Sequence, residues 1–447
     1  MAAEQRTPIK RSFALSGSLK DFALLKGQDL TLRSKGFYAW QTARRENGFW
    51  PYARSVEGAP KAHCVITDPK LGMVPAVNFG SQDYLGLASL PAIKEAAIEA
   101  LRNYGVHSAG SAALLGNSDI SLTLESELSK FLNGRDTVLY PTGWAAGFGA
   151  IEGLIGPADH VVLDVLSHAC LQAGARAATR KLQFYRHCDL VSLERKLSRI
   201  RSVDAKNAVL VVTESLFSMH ADTPDLRGML SLCRQYGAAL LVDCAHDMGC
   251  MGEDGRGQLS IQGVLDAVDI VVGSFSKTFA SNGGFVAVKS HSAREYLKYF
   301  SASHTFSNAL SPVQAATILA ALKIIRSETG ANLRQILMRN IIELRQRMQY
   351  AGLNVLGIPS PIVPVEIGDE AMGRLVSRAL AREHIVANLV EYPAVPIGQS
   401  RFRIQMMPEH SSDDIAQIVS AIQRAIRSCE NEINIDGVNT DDPEVAA

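Results

Sequence analysis

VDIVVGSFSKTFASNGGFVAV, from Val268 to Val288, decides how the rest of the chain is interpreted. Val268–Val272 is mostly branched aliphatic and predicts a buried strand, and Phe285–Val288 predicts a second, short strand. The loop between them holds Lys277 among serines, a threonine and two adjacent glycines. Partial desolvation of an amine in such a loop makes it a better nucleophile for a carbonyl. A lone loop lysine is more often an ordinary surface residue, so other parts of the chain have to decide between the two interpretations.

Composition narrows the class of protein. With 447 residues, 47% of them hydrophobic, the chain is long enough for two packed domains. Basic and acidic residues balance at 45 each, which gives no electrostatic argument for nucleic acid or an anionic membrane surface and favours a small molecule or another subunit as partner. The 7 cysteines lie mostly in apolar segments and predict reduced thiols. Without a long apolar run or a secretory signal pattern, a cytoplasmic location is predicted.

Strands and helices alternate through the middle of the chain. Apolar strands are predicted near residues 161, 207, 237 and 268, with helical stretches between them. Nearly continuous apolar strands separated by helices indicate a mainly parallel sheet buried on both faces, so the fold class is α/β. Catalytic groups are then expected at the carboxyl ends of the strands.

The remaining segments define the predicted domains. Residues 1–75 are interpreted as an N-terminal arm, a helix and a hairpin, and 76–310 as the large domain. Ser311 followed by a proline predicts the start of a helix and the junction to a smaller α+β domain over 311–430. The acidic segment 431–447 lacks a core pattern and is predicted to be disordered.

Polar residues close several predicted strands. Asp243 and His246 end the strand near 237, where a carboxylate can hold a proton on a heterocyclic nitrogen and an imidazole can bind an oxygen. His168 follows another strand, and its ring could stack on a planar ligand. Each residue alone is more often structural. The tripeptide Thr142–Trp144 precedes a helix rich in small residues, whose backbone N–H groups can bind a phosphate.

The order of these blocks is more specific than any one of them. From about Asn78 to Ile426 the chain resembles the α-oxoamine synthase family of pyridoxal-phosphate enzymes, which includes serine palmitoyltransferase, glycine C-acetyltransferase, 8-amino-7-oxononanoate synthase and 5-aminolevulinate synthase. The matching blocks are NFGSQDYLGL, SAGSAALLGNSDISLTLESEL, YPTGWAAGFGAI, DVLSHACLQAG, TESLFSMHADTPDL, VDCAHDMGCMGEDGRG, GSFSKTF, FSNALSP and YPAVPIGQSRFRIQMMPEHS. The resemblance implies an aminotransferase-like fold of type I, with a mainly parallel central sheet and a smaller α+β C-terminal domain.

The resemblance also implies roles for individual residues. Lys277 is expected to form the Schiff base with pyridoxal phosphate, Asp243 to pair with the ring nitrogen, and His168 to stack on the ring. The substrate is expected to bind Arg403, through its carboxylate, and Asp83. The other cofactor contacts implied are polar groups at strand ends and helix starts: Thr142, Gly143, Trp144, Ser218, His246, Ser274, Ser276 and Ser307, the last from the neighbouring subunit of a homodimer.

The reaction implied is a decarboxylative condensation of serine, glycine or alanine with an acyl thioester on coenzyme A or a carrier protein, which gives an α-amino ketone. Lys277 would remove the α-proton while the ring that Asp243 keeps protonated accepts the electron pair. Two motifs, FSN starting at Phe306 and YPAVP starting at Tyr392, favour a glycine acyltransferase. The N-terminal arm and the motif PEH starting at Pro408 favour a serine palmitoyltransferase. Both substrate choices stay open.

Three other functions compete with this interpretation. The first is another enzyme of the same fold, such as an aminotransferase or lyase, and the second is a regulatory subunit of a heteromeric synthase, which would not need Lys277. The third is a zinc site built on the Cys244/His246 and His168/Cys170 pairs, whose spacing does not match paired-cysteine motifs. The chain departs from the family pattern at Ser121, His220, Cys244 and Ala280, which affects the substrate prediction more than the cofactor prediction.

Overall fold

The structure is a computed structural model that describes residues 13–436. Its strands, numbered in chain order, are β1 (Ser55–Glu57), β2 (His63–Asp68), β3 (Gly72–Phe79), β4 (Asp136–Tyr140), β5 (His160–Asp164), β6 (Leu182–Tyr185), β7 (Val209–Glu214), β8 (Ala239–Asp243), β9 (Ile270–Ser274), β10 (Gly284–Val288), β11 (Ile362–Gly368), β12 (Ile385–Val390) and β13 (Ser400–Gln405). Its α-helices are Lys35–Glu46, Pro91–Tyr104, Asp119–Phe131, Gly143–Leu154, Ala169–Ala178, Leu190–Val203, Leu226–Gln235, Gly257–Ile261, His291–Phe300, Ala302–Thr305, Pro312–Ile325, Glu328–Tyr350, Glu370–Arg382 and Ser412–Asp436. Short 3-10 helices span Leu19–Phe22, Leu32–Ser34 and Leu87–Ser89.

The unit formed by residues 82–338 is built on a seven-stranded sheet. Its strand order is β4-β10-β9-β8-β7-β5-β6, and the pairs from β9 to β6 are all parallel. β10 runs antiparallel to both of its neighbours. Every residue of β5, β7, β9 and β10 is buried, as expected for a sheet covered on both faces. The predicted mainly parallel sheet and fold type are therefore confirmed.

Glycines let two helices of this unit approach closely. The helix Gly143–Leu154 packs against Ala169–Ala178. A Cβ atom on Gly147 would lie 2.6 Å from the sulfur of Cys170, and one on Gly174 would lie 2.6 Å from the Phe148 carbonyl oxygen. Because real Cβ contacts are longer, the close packing that fixes the start of the second helix depends on these two glycines.

The other unit contains residues up to Ser81 and from Arg339 onward. Its six-stranded sheet has the order β1-β2-β3-β12-β13-β11, in which β3 and β12 are parallel and the other pairs antiparallel. The predicted hairpin is β2–β3, with Asp68 opposite Gly72. β12 was not predicted, because its short alternating run IVANLV lacks flanking turn residues.

Boundaries of the units differ from the predicted junctions near 75 and 310. The helix Pro312–Ile325, which begins at the predicted Ser311 cap, packs against Pro91–Tyr104 and Asp119–Phe131 within the unit of residues 82–338. The last helix reaches Asp436, so it includes the first part of the segment predicted to be disordered. Residues 437–447 lie outside the described residues, as do residues 1–12 of the predicted arm.

Between residues 13 and 436, every helix is either too short or too polar to cross a bilayer.

Candidate active site

A cavity of about 270 Å³ lies at the carboxyl ends of β7, β8 and β9. It lies wholly within the unit of residues 82–338. Polar and titratable side chains dominate its lining, which consists of Thr142, Gly143, Trp144, His168, Cys170, Glu214, Asp243, Ala245, His246, Gly273, Ser274, Ser276, Lys277, Asn282 and Gly283. A larger groove of about 710 Å³ runs between three helices, but it lacks such a group of buried titratable residues. The smaller cavity is therefore the candidate active site.

Two carboxyl groups meet on one side of this cavity. Glu214 ends β7 and Asp243 ends β8, and the parallel register places them directly beside each other. Burial raises the pKa of Asp243, although His168 and Lys277 act in the opposite direction. Burial, and then the neighbouring Asp243 carboxylate, raise the pKa of Glu214 well above its usual value. A carboxylate kept in such a place stabilises a cation bound beside it, such as a protonated ring nitrogen.

Lys277 lies half-buried in the loop after β9, which is anchored by the fully buried rings of Phe275 and Phe279. The two ring centroids are 5.4 Å apart. The Ala280 N–H donates to the Lys277 carbonyl at 3.0 Å, and Ala280 has a φ of 55°, a left-handed conformation that a side chain disfavours. Buried aromatic packing thus fixes the loop that presents the lysine to the cavity.

His168 caps the helix Ala169–Ala178 and is open to the cavity. Its backbone N–H donates to Oε1 of Glu214 at 2.6 Å. Its ring Nδ1 lies 3.3 Å from the backbone nitrogen of Cys170 and 3.0 Å from the sulfur of that residue. Burial lowers the pKa of His168; Asp243 opposes this shift and Lys277 adds to it. A neutral imidazole on the cavity wall is suited to stacking on a ring and to donating one hydrogen bond.

His246 is held by a residue that the sequence interpretation missed. The Tyr84 hydroxyl lies 3.0 Å from Nδ1 of His246, and both side chains are buried. The two residues are 162 positions apart, so no local pattern links them. The hydrogen bond from Tyr84 to Nδ1 fixes the orientation of the His246 ring in the cavity wall.

The opposite end of the cavity is suited to a phosphate. The Thr142 hydroxyl caps the helix Gly143–Leu154 by accepting the Ala145 N–H at 3.0 Å. The hydroxyls of Ser274 and Ser276 lie 2.7 Å apart. A Cβ on Gly143 would lie 2.4 Å from the Ser274 hydroxyl oxygen, so only glycine fits there. A helix N-terminus beside two hydroxyls binds a dianion, so the lining groups fit both ends of pyridoxal phosphate.

Four predicted site residues are not among those that line the cavity. Ser218 follows β7, and Ser307 follows the short helix Ala302–Thr305. The Asp83 carboxylate accepts the backbone N–H groups of Leu87 and Ala88, at 2.9 and 2.8 Å, and so caps a 3-10 helix. Arg403 lies on β13, in the other unit. The roles of these four residues, like those of the predicted residues that line the cavity, remain predictions.

Two further residues line the cavity: Cys170, which the sequence analysis named only in the zinc alternative, and Glu214, to which it gave no role. The two-residue spacing of Cys170 from His168 at a helix start could have indicated that their side chains touch. The position of Glu214 at the end of a strand could have indicated that it lines the cavity. The zinc alternative gains no support. Within residues 13–436, the three-residue group with ligand atoms close enough for a metal is Asp164, His187 and Cys188, which contains none of the proposed zinc residues.

Comparison with known proteins gives a consistent answer. The model of the aminotransferase class I and II family matches residues 74–422. The serine palmitoyltransferase of Sphingobacterium spiritivorum is 35% identical over 90% of this chain and 95% of its own. For the 8-amino-7-oxononanoate synthase of Geotalea daltonii the identity is 34%, over 85% and 94% of the two chains. The 2-amino-3-ketobutyrate coenzyme A ligase of Escherichia coli is 32% identical over 86% and 94%.

A solved structure of Sphingomonas wittichii serine palmitoyltransferase superposes with a TM-score of 0.84 at 28% identity, covering 90% of this chain and all of that one. A high-resolution structure of a serine palmitoyltransferase with pyridoxal phosphate gives a TM-score of 0.83 at 28% identity, over 92% of this chain and all of that one. The chain belongs to the α-oxoamine synthase group of the aminotransferase class I and II family, the pyridoxal-phosphate-dependent acyltransferases that join an amino acid to an acyl thioester with loss of carbon dioxide.

Proposed function

We propose that this chain condenses serine with an acyl thioester, in the manner of a serine palmitoyltransferase. The observation that carries the choice of serine is the likeness to serine palmitoyltransferases, which extends over nine-tenths of the chain in both sequence and structure. Glycine is the second candidate amino acid, because 2-amino-3-ketobutyrate coenzyme A ligases are 32% identical to the chain over a similar length.

Each polar side chain of the cavity has a different role in the proposed reaction. Pyridoxal phosphate, when bound, supplies a ring that withdraws electrons from the α-carbon of the amino acid. Asp243 would hold the ring nitrogen and keep it protonated, because the buried carboxylate favours a neighbouring positive charge. The Nζ atom of Lys277 takes the α-proton and later returns a proton. His168 donates to the thioester carbonyl oxygen as negative charge develops there. The hydroxyls of Ser274 and Ser276 would bind the phosphate.

Cofactor binding is tested by colour and by one substitution. The purified protein is expected to be yellow, and Lys277→Ala to lose both the visible absorption band and thiol release. Lys289→Ala, at an exposed lysine, is the matched control and is expected to keep both. A wild-type protein that stays colourless after addition of pyridoxal phosphate would contradict the cofactor assignment.

The substrates are tested by a matrix of serine, glycine and alanine against short and long acyl thioesters, on coenzyme A and on a carrier protein. Thiol release and the mass of the amino ketone are the measurements. Serine with a long acyl chain is expected to give the highest kcat/KM. A higher value for glycine with a short chain would favour the second candidate, and turnover without thiol release would contradict both.

A homodimer is part of the proposal, with Ser307 entering the site of the partner subunit. Supporting it is an apolar surface near Ser307, where Leu114, Leu115 and Phe306 are 86%, 91% and 87% exposed. The Ala309 N–H donates to the Gly110 carbonyl at 2.8 Å, which joins the two segments that carry these side chains. Exposed apolar surface of this kind marks an interface.

Sedimentation tests the dimer. Leu115→Asp together with Phe306→Asp is expected to shift the protein from two chains to one, whereas Leu24→Asp, at an equally exposed leucine of the other unit, is not. A wild-type protein that sediments as a single chain would exclude the shared site.

A cytoplasmic location is also proposed. All seven cysteines are free thiols, as in proteins of reducing compartments. Cell fractionation with immunodetection is the test, and recovery of the protein outside the cytoplasm would contradict it.

A further inference from the structure

The contacts of His168 specify which of its ring nitrogens carries the proton. Nδ1 lies 3.3 Å from the backbone nitrogen of Cys170, with the geometry of a helix cap in which the imidazole accepts. A backbone N–H can only donate, so this contact stabilises the form of the ring in which Nδ1 offers its lone pair. In a neutral imidazole the proton then resides on Nε2, at the opposite edge of the ring.

The thiol of Cys170 is a second donor to the same atom. Its sulfur lies 3.0 Å from Nδ1. Cys170 is 2% exposed, and burial raises the pKa of the thiol, so it keeps its proton and can donate. The sulfur has room because residue 147 is glycine, where a Cβ atom would approach it to 2.6 Å. Two donors from one residue therefore converge on Nδ1.

We propose that Cys170 is a positioning residue, which holds His168 in the form protonated on Nε2 and so makes that edge of the ring the hydrogen-bond donor to the acyl thioester carbonyl. The first half of the proposal is a statement about the ring alone. The second half rests on the proposed function, because it needs an acyl thioester as substrate. The thiol itself does not react, and no bond to sulfur forms or breaks.

Nitrogen-15 NMR of the holoenzyme, labelled only at its histidines, tests the first half. The chain has 11 histidines, and the His168 signals are identified by their loss in His168→Asn. The wild type is expected to show an unprotonated Nδ1 and a protonated Nε2, and Cys170→Ser, which keeps a donor, the same pattern. Cys170→Ala, left with the backbone donor alone, is expected to shift Nδ1 toward the average of the two tautomers. A protonated Nδ1 in the wild type would overturn the proposal.

Steady-state kinetics test the second half. Cys170→Ala is expected to lower kcat about five- to tenfold, the effect of losing one hydrogen bond, with both KM values unchanged within about twofold. Cys170→Ser is expected to restore most of kcat. Cys233→Ala makes a similar small cavity at a buried cysteine on the helix Leu226–Gln235, outside the cavity lining, and controls for packing.

Both readouts have to change together. A lower kcat with unchanged histidine signals, or changed signals with the kcat of the Cys233→Ala control, would contradict the proposal. Failure of the proposed function gives a different result: the wild type would release no thiol from any acyl thioester, while the NMR experiment would still report the proton on His168.

Discussion

Two groups of buried charges, one in each unit, are built in opposite ways. In the unit with the six-stranded sheet, the Glu391 carboxylate accepts from the Tyr52 hydroxyl at 2.6 Å, from Arg374 Nε at 2.7 Å and from Arg44 Nη2 at 3.3 Å. Burial would raise the pKa of Glu391, but Arg374 and Arg44 lower it below its usual value. In the cavity of the other unit, the pKa values of Asp243 and Glu214 are raised.

The difference separates structural charges from functional ones. Two guanidiniums and a hydroxyl bind the Glu391 carboxylate, so its charge is compensated within the protein and it does not need a bound cation. Asp243 accepts one backbone N–H, from Ala245 at 2.9 Å, and burial still dominates its pKa. A buried carboxyl in that condition gains stability from an added cation, so this group, unlike the Glu391 group, is suited to the proposed role in cofactor binding.

The largest expected effect comes from Asp243→Asn. An amide cannot stabilise a protonated ring nitrogen, so kcat is expected to fall by about 10⁴-fold, the upper end of proton-transfer contributions. The thermal midpoint is expected to stay the same or rise, because a buried charge is removed. Kinetics and thermal unfolding measure the two effects. Near-normal turnover would contradict the proposed role of Asp243 and the functional difference between Asp243 and Glu391.

Glu391→Ala is expected to lower stability, whereas Asp243→Asn is expected to lower turnover. Removal of the carboxylate leaves two guanidiniums buried without it, and breaking such a group costs about 3–5 kcal/mol. Arg44 and Arg374 are each 1% exposed, so water does not replace the lost contacts. Denaturant unfolding is the measurement, with the exposed Glu328→Ala as control. A loss of turnover without a loss of stability would show that Glu391 is functional.

A third group of charges, which is only partly buried, tests whether ion pairing or position in the sheet decides the difference. His187 lies between Asp164 at the end of β5 and Asp222, with both ring nitrogens 2.9 Å from a carboxylate oxygen. Burial alone would lower the pKa of His187, but the hydrogen bonds to Asp164 and Asp222 raise it to about 12. This group lies at the seven-stranded sheet, as the cavity does, but His187 is paired with opposite charges, as Glu391 is.

The stability that His187 contributes is therefore pH-dependent. Because its folded pKa exceeds the usual 6.5, the contribution is complete below about pH 6.5 and is lost as the pH rises toward 12. His187→Gln is expected to flatten the decline in unfolding free energy between pH 7 and 10, by about 1–3 kcal/mol. Denaturant titrations across that range are the measurement. An unchanged slope would mean that the imidazole is not charged in the folded protein.

The smallest expected effect concerns the loop that carries Lys277. Ala280 has a φ of 55°, where glycine is unstrained. Ala280→Gly is expected to raise the free energy of unfolding by about 0.5–1 kcal/mol without raising kcat, because the strain is local to the turn. Gly273→Ala, where a Cβ would lie 2.3 Å from the Phe285 ring, serves as the opposite control. Destabilisation by Ala280→Gly would show that loop flexibility outweighs strain.

Local patterns predicted most of the elements. The strands β7, β8, β9 and β10, the hairpin β2–β3 and the helix capped by Ser311 lie where hydrophobic runs, turn residues and caps indicated them. Lys277, Asp243, His168 and His246 line one cavity, as the resemblance implied. These features could be predicted because strand burial, capping and motif order depend on residues close together in the chain.

Hydrophobic patterning and motif order were enough to predict the fold class, the family and the place of Lys277 in the loop after β9. Three features became visible only in the folded chain: Tyr84 holds His246 from 162 residues away, the Glu214 carboxyl lies beside Asp243, and β10 runs antiparallel to its neighbours. The physical reason is that strand order and register are set by packing over the whole core, and the pKa of a buried group depends on every charge that packing brings near it.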